Sequence, residues 1–231
     1  MFEAQNYIAV QERIASACQR AGRNPAEVTL VGVTKTVAPE DIIAACAHGL
    51  KIFGENRVQE AAAKIENLRQ KGITPQWHLI GHLQTNKARH AVELFDVIQS
   101  VDSARLAEVL QRHAEAGRRM LEVFVEVNTS GESTKFGAAP QDAFHLIREI
   151  SSYSHLRVMG LMTIGALDPD SSKIRPCFRS LRELAETVTA HHFPNVTMRH
   201  LSMGMTNDFE IAIAEGATMV RVGRALFGER H

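Results

Sequence analysis

Eight short apolar segments, each followed by a helical pattern, constrain this chain more than any other feature. The segments fall at 29–35, 50–53, 76–80, 95–99, 121–127, 156–163, 197–201 and 218–222. Helical patterns near 39–48, 56–70, 84–92, 103–116, 140–151, 173–191 and 207–215 separate them, and another over 4–21 precedes the first. Runs such as Leu30-Val31-Gly32-Val33 suit strands covered on both faces, as in a parallel sheet wrapped by helices. With no linker or low-complexity break, the alternation predicts one domain over 1–231. Its fold is α/β, a TIM-like (β/α)8 barrel with an extra N-terminal helix. The alternative is an open doubly wound sheet, but no Gly-x-Gly-x-x-Gly follows the first strand. Pro39-Glu40-Asp41 reads as a helix start, Asn207-Asp208-Phe209-Glu210 as a capping box, and Gly49 and Gly216 as helix stops. Asp168-Pro169-Asp170-Ser171-Ser172 is the most loop-like stretch.

Bulk properties narrow the function. Lys plus Arg and Asp plus Glu number 26 each, so the charge expected of a general nucleic-acid binder is lacking. Three widely spaced cysteines predict no disulfide framework and point to the reducing cytoplasm. The opening residues lack the basic and apolar regions of a signal peptide, and no apolar stretch approaches the ~18 residues of a membrane span.

Lys35 closes the first predicted strand, where partial desolvation favours a neutral, nucleophilic amine. Taken alone, it reads more readily as a lysine snorkelling to water. The last two strand-to-helix loops add weight. Ser202-Met203-Gly204-Met205-Thr206 offers a hydroxyl and a glycine, and Gly223-Arg224-Ala225-Leu226-Phe227-Gly228 opens a short helical turn. In a (β/α)8 barrel these are the loops that often hold phosphate. An amine beside a phosphate cradle suggests pyridoxal 5′-phosphate. Strand alternation puts Arg221 on one face with Met219, opposite Val220 and Val222, and so into the barrel mouth. There it could meet a pyridine nitrogen, whose proton a guanidinium cannot accept. Asn56 reads as a ring contact or as a helix N-cap. His78 and His82 lack a third ligand, and no metal is expected. The polar loop from Asn128 to Gly137 brings a second lysine, Lys135, to the mouth.

Six ordered motifs, Val33-Thr34-Lys35, Phe53-Gly54-Glu55-Asn56, His78 through Lys87, Gly160-Leu161-Met162-Thr163, Ser202-Met203-Gly204-Met205 and Arg221-Val222-Gly223, resemble the pyridoxal phosphate homeostasis protein family. That family is similar to the barrel domain of alanine racemase. The resemblance implies a Schiff base on Lys35 and a role in balancing the intracellular cofactor pool. It implies Ser202, Gly204, Gly223 and Arg224 around the phosphate, Arg221 at the ring nitrogen and Asn56 beside the ring. Position 224 is often a small hydroxyl residue in relatives, so a backbone or guanidinium contact must serve here.

The expectation is a non-catalytic carrier with no catalytic residues. The racemases draw a second base, a tyrosine, from another domain. This sequence ends soon after the eighth strand, and its two tyrosines, Tyr7 and Tyr153, fall away from the mouth. Expected partners are the cofactor itself and apo forms of enzymes that use it, with neither nucleic acid nor membrane, and a monomer is expected. The competing readings are a slow amino-acid racemase, with water or His82 as second base, and a Schiff-base aldolase that needs no cofactor.

Overall fold

A computed structural model of the chain describes residues 2–166, 168 and 170–228. Pro169 of the predicted loop and the last three positions of the expected 1–231 domain lie outside these. Eight parallel strands, β1 (Thr29–Val33), β2 (Ile52–Glu55), β3 (Gln76–Leu79), β4 (Val97–Val101), β5 (Leu121–Glu126), β6 (Leu156–Met162), β7 (Val196–Ser202) and β8 (Met219–Val222), close into a barrel in sequence order. Closure rests on β8 pairing with β1, with Val31 opposite Arg221 and Gly32 opposite Val222. The open sheet is thereby excluded.

Helix α1 (Ala4–Arg20) precedes the barrel. After it come α2 (Pro39–Ala47), α3 (Val58–Gln70), α4 (Ala88–Leu94), α5 (Ala104–Ala116), α6 (Pro140–Ile150), α7 (Ser171–Ala190), α8 (Phe209–Ala214) and the single turn α9 (Arg224–Phe227). Proline at the first position starts α2 and α6, where no intrahelical N–H is needed. The outer core lies between strands and helices and includes Leu30, Phe53, Leu79, Ile98, Val220 and Val222. The barrel interior holds a smaller apolar layer of Val31, Val97, Phe124, Met159, Met162 and Met219. Among the described residues no helix is long and apolar enough to cross a membrane.

Helix α1 and the residues flanking it are tied to the last strand-helix units. Arg13 reaches the Thr206 carbonyl at 3.1 Å and pairs with Glu210, while Arg23 donates to the carbonyls of Ile213 and Ala217 at 2.9 and 2.7 Å. The rings of Phe2 and Phe227 meet 6.0 Å apart.

Several boundaries differ from the sequence reading. β2 and β4 each start two residues later than expected, because Leu50 and Phe95 are buried in the outer core ahead of the strands. The predicted helix at 84–92 divides into a single 3-10 turn over Thr85–Lys87 and α4. The predicted capping box does not form. Asp208, not Asn207, precedes α8, and its Oδ1 accepts the Met205 N–H at 2.5 Å, so the carboxylate closes the turn rather than capping the helix.

The register shifts between Val158 and Gly160, and there β6 and β7 approach closely. A Cβ on Gly160 would lie 1.8 Å from the His200 carbonyl oxygen. Gly160→Ala should therefore cost at least ~2 kcal/mol, since backbone must move to admit it. Urea unfolding of the variant would measure this, and an unchanged midpoint would contradict the packing described.

Candidate functional site

β1 stops at Val33, short of the expected 29–35, and Lys35 stands in the turn that follows. The Val37 N–H donates to the Thr34 carbonyl at 2.9 Å, closing a four-residue turn with Lys35 second and Thr36 third. Thr36 has φ +63°, a conformation that in the third position of such a turn normally selects glycine. A non-glycine residue there costs about 1–3 kcal/mol. The Thr36 N–H donates to Glu60 Oε1 at 2.5 Å, and a bond to a charged acceptor, at about 1.5–3 kcal/mol, is large enough to offset that cost.

The same glutamate belongs to a buried network behind the turn. Lys64, only 7 % exposed, donates to Glu60 Oε1 at 2.7 Å, Glu55 Oε1 at 2.8 Å and the Thr34 carbonyl at 2.5 Å. Thr34 Oγ1 donates to Glu55 Oε1 at 2.6 Å. Burial pushes the Glu55 carboxyl above its usual range against the pull of Lys64 and Thr34. Burial acts in the same direction on Glu60, but hydrogen bonds from Lys64 and the Thr36 N–H outweigh it and hold that carboxyl low.

A second network crosses the barrel interior above its apolar layer. Arg221, 3 % exposed, donates from Nη1 to Ser202 Oγ and from Nη2 to the Thr163 carbonyl, each at 2.8 Å. Ser202 Oγ donates to Gln99 Oε1 at 2.6 Å, and Gln99 Nε2 lies 2.7 Å from His78 Nδ1. Burial, with the charge of His200, holds His78 down to about 3, so the neutral ring accepts at Nδ1. Burial also lowers Arg221 to about 10, against Glu126 and Asp208, and it stays cationic at neutral pH. Burial pushes Glu126 up to about 7, with Asp102 adding and Arg221 opposing.

A cavity of about 860 Å3 opens at the carboxyl-terminal mouth, lined among others by Lys35, Asn56, Arg221, Gly223, Arg224 and Asp208. Five of the seven residues singled out from sequence thus share one cavity. Ser202 and Gly204 lie behind its wall. Ser202 is fully buried and engaged with Arg221 and Gln99. Gly204 has φ +93° and approaches α8 so closely that a Cβ would sit 2.6 Å from that of Ala212. Asn56 is not an N-cap, since Arg57 precedes α3. After Gly223, the Leu226 and Phe227 N–H groups return to the Gly223 carbonyl, and those of Arg224 and Ala225 come before the first intrahelical bond.

The loop after β5 packs against the loops that follow β3 and β6. Lys135 donates to Glu132 Oε1 and to the Gly165 carbonyl, at 2.7 and 2.8 Å. Phe136 stacks on the His82 ring at 3.8 Å, and His82 Nδ1 lies 3.3 Å from Asp102. Among the described residues no group of three or more His, Cys, Asp or Glu is placed to hold a metal ion.

Sequence reasoning missed Lys64, Glu60, Gln99, Thr163 and Glu126. One signal was available for Lys64. It shares the stripe of Val58, Ala61, Ile65 and Leu68 that α3 buries, and an ammonium there requires buried acceptors.

A closed (β/α)8 barrel with an amine after its first strand and a glycine turn after its last defines the class. Residues 6–231 match the model of the alanine racemase N-terminal domain. The chain is 44 % identical over 221 residues to a pyridoxal phosphate homeostasis protein of Aquifex aeolicus, covering 96 % of this chain and 95 % of that one. It superposes on a crystal structure of an unknown protein from Bifidobacterium adolescentis with TM-score 0.91 and 39 % identity, covering 97 % and 94 % of the two chains. It superposes on PipY of Synechococcus elongatus with bound PLP at TM-score 0.82 and 38 % identity, covering 95 % of this chain and all of that one. The chain belongs to the pyridoxal phosphate homeostasis protein family.

Two of the buried titratable groups, His78 and Glu126, make opposite demands on pH. His78 contributes stability that is present above its ordinary value and lost as pH falls toward 3. Glu126 contributes stability that is present below the ordinary carboxylate range and lost as pH rises through about 7. Between roughly pH 7 and pH 5 each is worth about 2 kcal/mol, with opposite sign. Relative to wild type, His78→Gln should gain about 2 kcal/mol over that interval on acidification, and Glu126→Gln should lose about as much. Urea titrations at the two pH values measure both, and parallel behaviour of all three proteins would refute the assignment.

Proposed function

We propose that this protein binds pyridoxal 5′-phosphate and serves its homeostasis, holding the cofactor as a Schiff base on Lys35 without substantial catalytic turnover. The observation that carries this reading is the convergence of an amine, a buried guanidinium and a glycine-led helical turn on one cavity. The donor set fits the group. Lys35 is the amine for the aldehyde, and the first N–H groups of α9 with the Arg224 side chain suit a phosphate. Asn56 lines the same cavity and is available for a ring contact. Support also comes from PipY, a relative whose solved structure holds PLP, and from the name of the Aquifex relative.

The bound cofactor supplies an aldehyde carbon. Lys35 Nζ would be the nucleophile toward that carbon, with the carbonyl oxygen lost as water. Arg221 is a cation already fixed by Ser202 and the Thr163 carbonyl, and toward a ring nitrogen it would act as a donor and accept no proton. That would leave the ring neutral and a weaker electron sink, which favours storage over turnover. Ser202 acts by holding Arg221, and Gly204 by letting α8 close against the loop.

The three cysteines are free thiols, in keeping with a cytoplasmic setting. Apo forms of PLP-dependent enzymes are the natural recipients, and we take the carrier to be a monomer.

Purified protein should be yellow. Borohydride should fix one phosphopyridoxyl group on the peptide holding Lys35, and Lys35→Ala should lose both colour and adduct. A colourless protein with no adduct returns the aldolase reading. Incubation of amino acids in deuterated water separates carrier from racemase. Lys35-dependent α-deuteration at a useful rate would overturn the carrier. Loaded protein should also activate an apo-aminotransferase, and failure to do so would remove the delivery role.

A further inference from the structure

We propose that Lys64, with Glu55 and Glu60, is a positioning lock that fixes the turn carrying Lys35 and sets how well its amine captures an aldehyde. The proposal rests on the Schiff-base reading of Lys35.

One buried ammonium reaches both sides of the reactive residue. On the near side, Lys64 Nζ holds the Thr34 carbonyl directly, and Glu55 holds the Thr34 hydroxyl. On the far side, Glu60 holds the Thr36 N–H in its left-handed conformation and is itself held by Lys64. Thr36 Oγ1 closes the arrangement by donating to the Lys35 carbonyl at 2.6 Å. The peptides before and after Lys35 are therefore clamped from α3, outside the barrel, while Lys35 itself lines the cavity.

The clamp lies behind the turn. Neither Lys64, Glu55 nor Glu60 lines the cavity, so the clamp has no direct part in holding the ring or phosphate. Its contribution is confined to where the Lys35 backbone stands, and thus to the effective concentration of its amine at the aldehyde carbon. Loss of the clamp frees the turn to relax from a conformation that threonine disfavours.

Two ligands separate positioning from general damage. Pyridoxal 5′-phosphate carries the aldehyde, whereas pyridoxamine 5′-phosphate shares the ring and phosphate but has no carbonyl for Lys35 to attack. Lys64→Met should weaken binding of the first about tenfold and of the second by less than about twofold. The borohydride-reducible fraction of bound cofactor should fall with it. Glu60→Gln changes a partly exposed side chain and keeps the Lys64–Glu55 pair. It should shift the same ratio in the same direction by about threefold, and it carries the test if Lys64→Met does not fold. Equal losses for both ligands, or unchanged capture of the aldehyde, would overturn the lock. Wild type serves as the control on the underlying reading. No adduct at Lys35 in wild type removes the Schiff base and the lock together, whereas a normal wild-type adduct with unchanged variants removes the lock alone.

Discussion

The pairing of β8 with β1 is the constraint on which everything else depends. Its register sets Val31 beside Arg221 and Gly32 beside Val222. Lys35 and Gly223, at opposite ends of the sequence, therefore emerge side by side at the same rim. In an open sheet these strands would be free to lie at opposite edges. Closure also removes the unpaired strand edges and forces alternate side chains inward. Arg221 thereby reaches the mouth while Val220 and Val222 pack outward under the helices.

The interior is layered by chemistry. An apolar layer around Phe124, Met159 and Met219 lies against a polar one running from His78 through Gln99 and Ser202 to Arg221 and Thr163. Buried polar groups are costly unless paired, and here the guanidinium, serine and amide donors each have an acceptor, while His78 Nε2 has no partner among the described residues. The chain of bonds has a direction. The guanidinium gives to the serine, the serine to the amide, and the amide to a histidine kept neutral by burial. The cation at the mouth is thus held by groups that compete for none of its charge.

Much of this was legible in the residues, and the remainder was not for definite reasons. Periodicity finds elements because burial on both faces writes continuous apolar runs, so all eight strands could be placed. Ends are harder. Leu50 and Phe95 look like strand residues because they are buried, yet they are buried ahead of the strands. Arg221 could be oriented from its neighbours because a strand alternates strictly. Asn56 was ambiguous between cap and cavity, since both roles favour the same side chain near a helix start. Ser202 and Gly204 were placed in the right loop, but whether a hydroxyl faces a ligand or an arginine is a question of three dimensions. Lys64 was overlooked because a Glu-Lys pair four apart on a helix ordinarily lies in solvent. Its place on the buried stripe of α3 was the clue.

The cross-ties from α1 and its flanking residues have a consequence for synthesis. Arg13 and Arg23 take carbonyls from the segment that follows β7, and Phe2 meets Phe227. Phe2 also meets Asp41 and His48 nearby in the sequence, but α1 itself packs chiefly on α8 and α9, which are made much later. Contacts that distant in sequence form late. A nascent chain accordingly carries Lys35 long before β8 and α9 emerge to complete the cavity around it.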